Sequence, residues 1–393
     1  MGTHALEIDE EEIVALTRNL VRCDTSNPPG NEEVAARFLG DYLAHAGVEV
    51  EYLQVEPGRA ILLARLRGQK RTGHLVLSGH LDVVPAKEPG WTYDPFTATQ
   101  VGDRLIGRGT ADMKGGLAAM AIAMLALQRV GFRPRADLML VASVGEERGI
   151  VGARYMAASG VLQDCAFLVV GEPTGLDVCP AQRGILVFRL TVHGRGAHSS
   201  MPERGVSAIS FLARAITAVE THRFPYKEDE LLGAPSVNVG TIEGGVSANI
   251  VADRCSAWAS MRLVAGQTPD QVETEMRRVL DDVVRDSRLP VQFDLEIEGG
   301  GPAVLTPLDH PLVEAAVAAA GEACGTPCRV RGFTGGTEGG ILSRAFRMPM
   351  VIFGPGKLEQ AHAVDEYIET SALSRAATTY ALIAQKLLGE PAS

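Results

Sequence analysis

From Gln182 onward the hydrophobic pattern runs strand, helix, strand, strand, helix, strand, and few folds accept that order. ILVFRLTVHG reads as a strand, PERGVSAISFLARAITAVETHR as a helix, and SVNVGTIEGG and DRCSAWASMRL as two further strands. TPDQVETEMRRVLDDVVRDS is a second helix, with Thr268 as its N-cap and Pro269 at its first position, and VQFDLEIE closes the run as an alternating strand. The β-α-β-β-α-β succession is the ferredoxin-like pattern. Since the flanking sequence has a different rhythm, the run is read as a domain inserted whole, with residues 1–181 and 298–393 forming the two parts of a host domain around the insert 182–297.

The host sequence alternates helix and strand. EEEIVALTRNLVRC and NEEVAARFLGDYLAHAG are amphipathic helices, the second starting at Asn31 after NPPG. VEVEYLQV, AILLARLRG and HLVLSGHLDVV come next as strands, KGGLAAMAIAMLALQRVG as a buried helix, and DLMLVASV and CAFLVVGE as apolar strands. After the Gly/Pro-rich EGGGPAVLTP come a helix from Pro311 to Gly321, the loop GFTGGTEGG, the strand MPMVIFGPG and a closing helix to Leu388. This is α/β layer architecture, which keeps its chemistry in the loops at strand ends.

Composition narrows the function classes. A net charge of -11, with no Lys/Arg cluster, argues against nucleic acid as a partner. The first residues, MGTHALEIDEEE, are acidic where a signal peptide is basic, and no apolar run approaches the ~20 residues that span a bilayer, so no membrane association and a cytoplasmic setting are expected. Six scattered cysteines read as reduced thiols; Cys324 and Cys328, a lone C-x3-C, are weak grounds for a zinc site.

The chemistry-bearing residues sit at the ends of apolar runs. In SGHLDVVP, His80 and Asp82 would share one side of a strand. A carboxylate holding the second nitrogen of an imidazole makes a good metal ligand, although the pair is also readable as a self-satisfied polar couple. GRGTADMKGG brings Asp112, ASVGEERG brings Glu146 and Glu147, VVGEPT brings Glu172, and EQAHAVDEY brings His362. Each has an ordinary explanation alone, as a cap, a solvated turn or a loop histidine. An α/β sheet gathers such loops along one edge, however, and carboxylates with two imidazoles are a ligand set for divalent metal.

Through these motifs the sequence resembles, nearly end to end and including the insert, the M20 family of zinc-dependent amidohydrolases and exopeptidases. The resemblance implies a zinc-exopeptidase-like mixed-sheet catalytic domain carrying a lid and dimerisation domain. It implies that His80, Asp112 and Glu172 hold one zinc and Asp112, Glu147 and His362 the other, with Asp112 bridging, Asp82 orienting His80, and cobalt or manganese able to substitute. Charge counting agrees: two divalent cations are neutralised by the three ligand carboxylates and a bridging hydroxide. That leaves Glu146 outside the ligand set, beside activated water, where a general base belongs.

In the insert, GRGAHSSMPERG matches the family stretch whose histidine reaches into the partner's active site, so a homodimer is implied, with His198 donating to the oxyanion. Asn249 falls where the family has a substrate-contacting asparagine, and Arg262 where it has a carboxylate-binding arginine. Ser260 departs from the aspartate usual two residues earlier and leaves the orientation of Arg262 less secure. GFTGGTEGG lacks the Lys-Ser/Thr ending of a phosphate loop; in the family it offers Gly335, Gly336 and Thr337 to the substrate carboxylate. Glu338 resembles the acetylornithine deacetylase branch and is expected either to meet a cationic substrate amine or to face solvent. The expected reaction is hydrolysis of an N-acyl-L-amino acid. The alternatives are a desuccinylase or dipeptidase of the same family and, from another class, a metal-free binding protein on this fold.

Overall fold

Four largely apolar strands, Ala136–Ser143, Lys70–His80, Cys165–Val170 and Met350–Ile352, lie side by side and parallel in the larger sheet. The computed structural model describes residues 6–287 and 290–389, in two units. One comprises Met1–Ala181, Leu305–Phe333 and Thr337–Ser393, the other Gln182–Val304 and Thr334–Gly336. In the first, the antiparallel pair Glu49–Glu56 and Arg59–Leu66 extends the sheet beyond Ala136–Ser143, making it mixed. Register sets His80 opposite Ser143 and Ser78 opposite Val170, so the loops leaving these strands start along one edge. Lys70–His80 stops at His80 rather than running on through LDVV: the Leu81 N–H still reaches the Ser143 carbonyl, but Val83 turns away to exchange hydrogen bonds with Thr25 and Asn27.

The helix Gly115–Arg129 is buried along its length as far as Leu127. With the turn before it, Thr110–Arg129 is long and apolar enough to cross a membrane by composition, contrary to the expectation that no such run exists, yet its apolar stretch is enclosed by protein as far as Leu127. Its first turn explains the paired glycines: a Cβ on Gly116 would lie 2.6 Å from the carbonyl oxygen of Gly171, immediately before Glu172. Elements too short to show a period escape sequence reading, among them the helix Val151–Ser159 and the small sheet of Thr99–Val101, Arg104–Ile106 and Tyr367–Glu369.

The second unit has the sheet order Ser236–Gly244, Arg254–Leu263, Gly184–His193, Gln292–Gly301, antiparallel throughout. The helices Ala208–Thr221 and Pro269–Ser287 share its core of Leu186, Phe188, Leu190, Leu212 and Met276. Thr268 caps as its type suggests: its hydroxyl accepts from Gln271 N–H at 3.3 Å while its own N–H donates to Gln271 Oε1 at 3.2 Å. The boundary expected at 297 falls inside a strand. An irregularity between Ile297 and Gly299 lets pairing with Gly184–His193 continue to Gly301, and the unit runs to Val304.

Packing at Gly116 predicts that Gly116→Ala destabilises the protein by about 1–3 kcal/mol, because a backbone carbonyl cannot swing aside. Gly321→Ala is the control: it lies in the helix Pro311–Cys324, where the nearest atom to a new Cβ is 3.7 Å away. It should gain about 0.5–1 kcal/mol. Urea unfolding followed by circular dichroism measures both, and equal effects would contradict the packing argument.

Candidate metal centre

Asp112 stands between two imidazoles. Its Oδ1 lies 3.2 Å from His80 Nε2 and its Oδ2 3.5 Å from His362 Nε2. Glu172 Oε1 approaches His80 Nε2 at 3.9 Å, and Glu147 Oε1 lies 3.0 Å from His362 Nε2. Two triads result, His80–Asp112–Glu172 and Asp112–Glu147–His362, in each of which one ligand atom per residue lies within 4.8 Å of the others. The first is buried, whereas in the second the His362 side chain is 51% exposed. Strand ends deliver His80, Glu147 and Glu172; Asp112 comes from the turn Thr110–Lys114, whose entry Gly109 has φ 86.

Asp82 does something other than expected. The Nδ1 of His80 meets the backbone carbonyl of Asp82 at 2.9 Å, while the nearer carboxylate oxygen is 3.6 Å away. Because the strand ends at His80, the Asp82 side chain is turned to other donors: Asn27 Nδ2 at 2.9 Å, Glu146 N–H at 3.0 Å and Glu147 N–H at 3.1 Å. Its carboxylate therefore fixes the turn that presents Glu146 and Glu147. Glu32, paired with Arg59 through both carboxylate oxygens, adds a hydrogen bond from Gly145 N–H at 3.1 Å. Asn27, Glu32 and Arg59 were invisible to sequence reading, since no local pattern separates them from surface residues.

The electrostatics fit cations. Burial, then the charge of Asp112, pushes the Glu172 carboxyl well above the ordinary range, and burial raises Glu146 likewise against the partial relief of His80. Burial also disfavours a protonated His80, but its hydrogen bond with Asp112 and the charges of Glu172, Asp112 and Asp82 prevail and raise it well above a free imidazole. Asp112 is held low despite burial, first by its hydrogen bond with His80. Acids outnumber bases in a space too dry to screen them, and the donor atoms are the carboxylate oxygens and imidazole nitrogens that divalent metals take.

The remaining expected site residues are dispersed. His198 and Asn249 lie together on an exposed margin of the second unit: Ser199 N–H donates to the Asn249 carbonyl at 3.0 Å, and His198 bridges to Ile250. His198 Nδ1 is engaged by Ser200, and Asn249 Oδ1 accepts from Ser247 Oγ at 2.5 Å. Arg262 is half-buried on the strand Arg254–Leu263, where register places Ser260 on its face. Burial and the neighbouring Arg183 lower its pKa. Gly335 and Gly336 group with the second unit, whereas Thr337 is buried in the first as N-cap of the helix Glu338–Phe346, accepting from Gly339 N–H at 3.1 Å.

Comparison with known proteins covers nearly the whole chain. The profile described as Peptidase family M20/M25/M40 matches residues 76–386. An acetylornithine deacetylase of Proteus mirabilis (strain HI4320) is 32% identical over 361 residues, covering 90% of this chain and 89% of that protein. A probable succinyl-diaminopimelate desuccinylase of Staphylococcus epidermidis is 28% identical over 389 residues, covering 92% and 94%. Among solved structures, aminopeptidase PepT of Bacillus cereus ATCC 10987 superposes with a TM-score of 0.80 at 22% identity, covering 97% of this chain and 99% of that one. At that identity the likeness speaks for the fold.

Glu338 corrects one form of the sequence reading, that it faces solvent. It is 1% exposed, with Ser78 Oγ donating to Oε1 at 2.7 Å and Ser143 Oγ donating to Oε2. It does not face solvent; it ties together the ends of the strands Lys70–His80 and Ala136–Ser143. Ser78→Ala and Ser143→Ala should each cost about 1–3 kcal/mol, because each leaves a buried carboxylate oxygen short of a donor. Combined with Glu338→Ala, either loss should shrink sharply in denaturant unfolding. Additive losses would show that the hydroxyls and the carboxylate do not interact.

Proposed function

We propose, for a chain that belongs to peptidase family M20/M25/M40, that this cluster hydrolyses the amide bond of an N-acyl-L-amino acid, releasing a carboxylate and a free amino acid. The observation that carries the reading is the stance of Asp112, one oxygen toward each imidazole, with a further carboxylate completing each triad. On this reading His80, Asp112 and Glu172 hold one divalent cation and Asp112, Glu147 and His362 a second. We take both to be zinc, with cobalt or manganese able to replace it. Such cations polarise an amide carbonyl and make water acidic near neutral pH. Glu146 belongs to neither triad, and its backbone is held by Asp82. Its carboxylate is the base that takes a proton from the attacking water and returns it to the departing amine.

Arg262, with the N–H groups of Gly335 and Gly336 and the hydroxyl of Thr337, is proposed to receive the substrate's α-carboxylate. The expected preference for a basic amino acid rested on Glu338, which is buried with both oxygens engaged by Ser78 and Ser143, and is not carried forward. The deacylase reading draws its support from the acetylornithine deacetylase and desuccinylase relatives. An exopeptidase would use the same residues, and a hydrolysis panel of N-acetyl-, N-succinyl- and N-formyl-amino acids beside dipeptides separates the two. Six free cysteines support a cytoplasmic setting.

We further propose a homodimer in which His198 and Asn249 serve the partner's site. Support comes from the margin they share: Val246 is 84% exposed beside them, and Ile250 and Ile209 are exposed as well.

Glu146→Gln should keep both metals, by elemental analysis, while kcat falls by ~10²-fold or more. Asp112→Ala should lose metal and activity together; full occupancy there would refute the ligand set. For the dimer, His198→Ala and Glu146→Ala proteins are each expected to be inactive. Mixed and allowed to exchange subunits, they should regain activity, because one site per heterodimer is intact. Exchange seen by mass spectrometry without returning activity would refute the shared site.

A further inference from the structure

Arg108 is 1% exposed, and nothing in the proposed reaction employs it. Its Nη1 donates to Glu366 Oε2 at 2.8 Å and to the carbonyl of Ala363 at 3.3 Å. The other oxygen of Glu366, itself 1% exposed, accepts from the backbone N–H groups of Ala111 at 2.8 Å and Asp112 at 3.0 Å. The Glu366 carbonyl accepts from Gly107 N–H at 2.8 Å, so the turn leading to Asp112 is wrapped about this one residue. The Trp91 ring, 5.3 Å from the guanidinium carbon, helps close the space to water.

One guanidinium thus joins the carbonyl of Ala363, the residue after His362, to the carboxylate that fixes the peptide of Asp112. The first triad has other supports: His80 ends a strand paired on both sides, its ring is held by the Asp82 carbonyl, and Glu172 follows Cys165–Val170 after the single residue Gly171. In the second triad Glu147 is held through its N–H by Asp82, which leaves His362 as the weakly supported member. His362 lies in a loop, half-exposed, with φ 61, a left-handed conformation that a non-glycine residue keeps only when its surroundings impose it.

We propose that Arg108 and Glu366 form a positioning pair that sets the separation of Asp112 and His362, and thereby governs divalent-cation binding by the Asp112–Glu147–His362 triad more than by the His80–Asp112–Glu172 triad. The inference rests on the reading of both triads as cation sites. The pair touches neither substrate nor cation; it acts through the backbone of the residues that do.

Cobalt(II) titrated into metal-free protein against a chromophoric chelator yields two dissociation constants, and a His362→Ala protein identifies which belongs to the second triad. Arg108→Met, Arg108→Lys and Glu366→Gln should raise that constant about 10- to 100-fold and the other by less than about threefold, the range seen when a ligand's supporting partner is removed. Near-UV circular dichroism of the metal-free proteins should match wild type. Arg108→Lys keeps the charge but not the planar guanidinium whose Nη1 serves both Glu366 and Ala363, so it carries the test if Arg108→Met does not fold. Unchanged constants, or both rising by one factor, overturn the positioning pair, as does loss of the near-UV signal in the lysine variant too. A wild-type chain binding fewer than two cobalt ions overturns the two-cation reading, and the inference with it.

Discussion

The carboxylate of Asp82 accepts from a side-chain amide and two consecutive backbone N–H groups, and the same device recurs around the edge of the sheet. Glu32 accepts from Gly145 N–H, Glu366 from Ala111 and Asp112 N–H, and Glu338 from two serine hydroxyls. Each is a buried acid satisfied by donors on the segments that carry the triads. Backbone N–H groups past a strand end have lost their ladder partners and must find acceptors. A carboxylate is the strongest acceptor available, and it fixes two or three donors at once.

The cost is electrostatic. Placing supporting acids beneath ligand acids adds negative charge to an edge that already repels itself, as the raised Glu146 and Glu172 record. Two of the supports are offset by guanidiniums: Arg59 grips Glu32 with both arms, and Arg108 pairs with Glu366. Losing one partner of such a buried pair costs about 3–5 kcal/mol, since the other charge stays behind. The serine pair offsets Glu338 only in part, and burial still raises its carboxyl. The remaining excess lies in the triads, where divalent cations would neutralise it.

Periodicity made the long elements legible, because a buried helix such as Gly115–Arg129 and strands such as Ala136–Ser143 have no other way to bury their side chains. That these acids and histidines gather was legible for a related reason, since an α/β sheet collects its loops along one edge, whereas their division into two triads came from the family resemblance. Partners were harder to read. Asp82 was chosen on an i, i+2 argument that assumed a continuous strand, and the chain turns at His80. Glu338 comes after a glycine loop and reads as a surface acid, yet it is the first residue of a buried helix start. Arg108 and Glu366 are separated by most of the chain, and no local pattern couples them.

The two kinds of residue to which we propose a function are also built differently. Ligands to a cation must keep their spacing to a fraction of an ångström, and here most are set by strand ends, buried acids and a glycine-lined helix start. Groups that grip a substrate must be reached from solvent, and His198 and Asn249, proposed for that role, sit on exposed loops of the second unit, joined by main-chain hydrogen bonds that keep them beside each other. His362 belongs to the first kind by chemistry and to the second by surroundings, being a loop residue with half its side chain exposed. Its need for an external restraint comes from that mismatch, and a buried guanidinium bonded to the next carbonyl is the restraint the fold supplies.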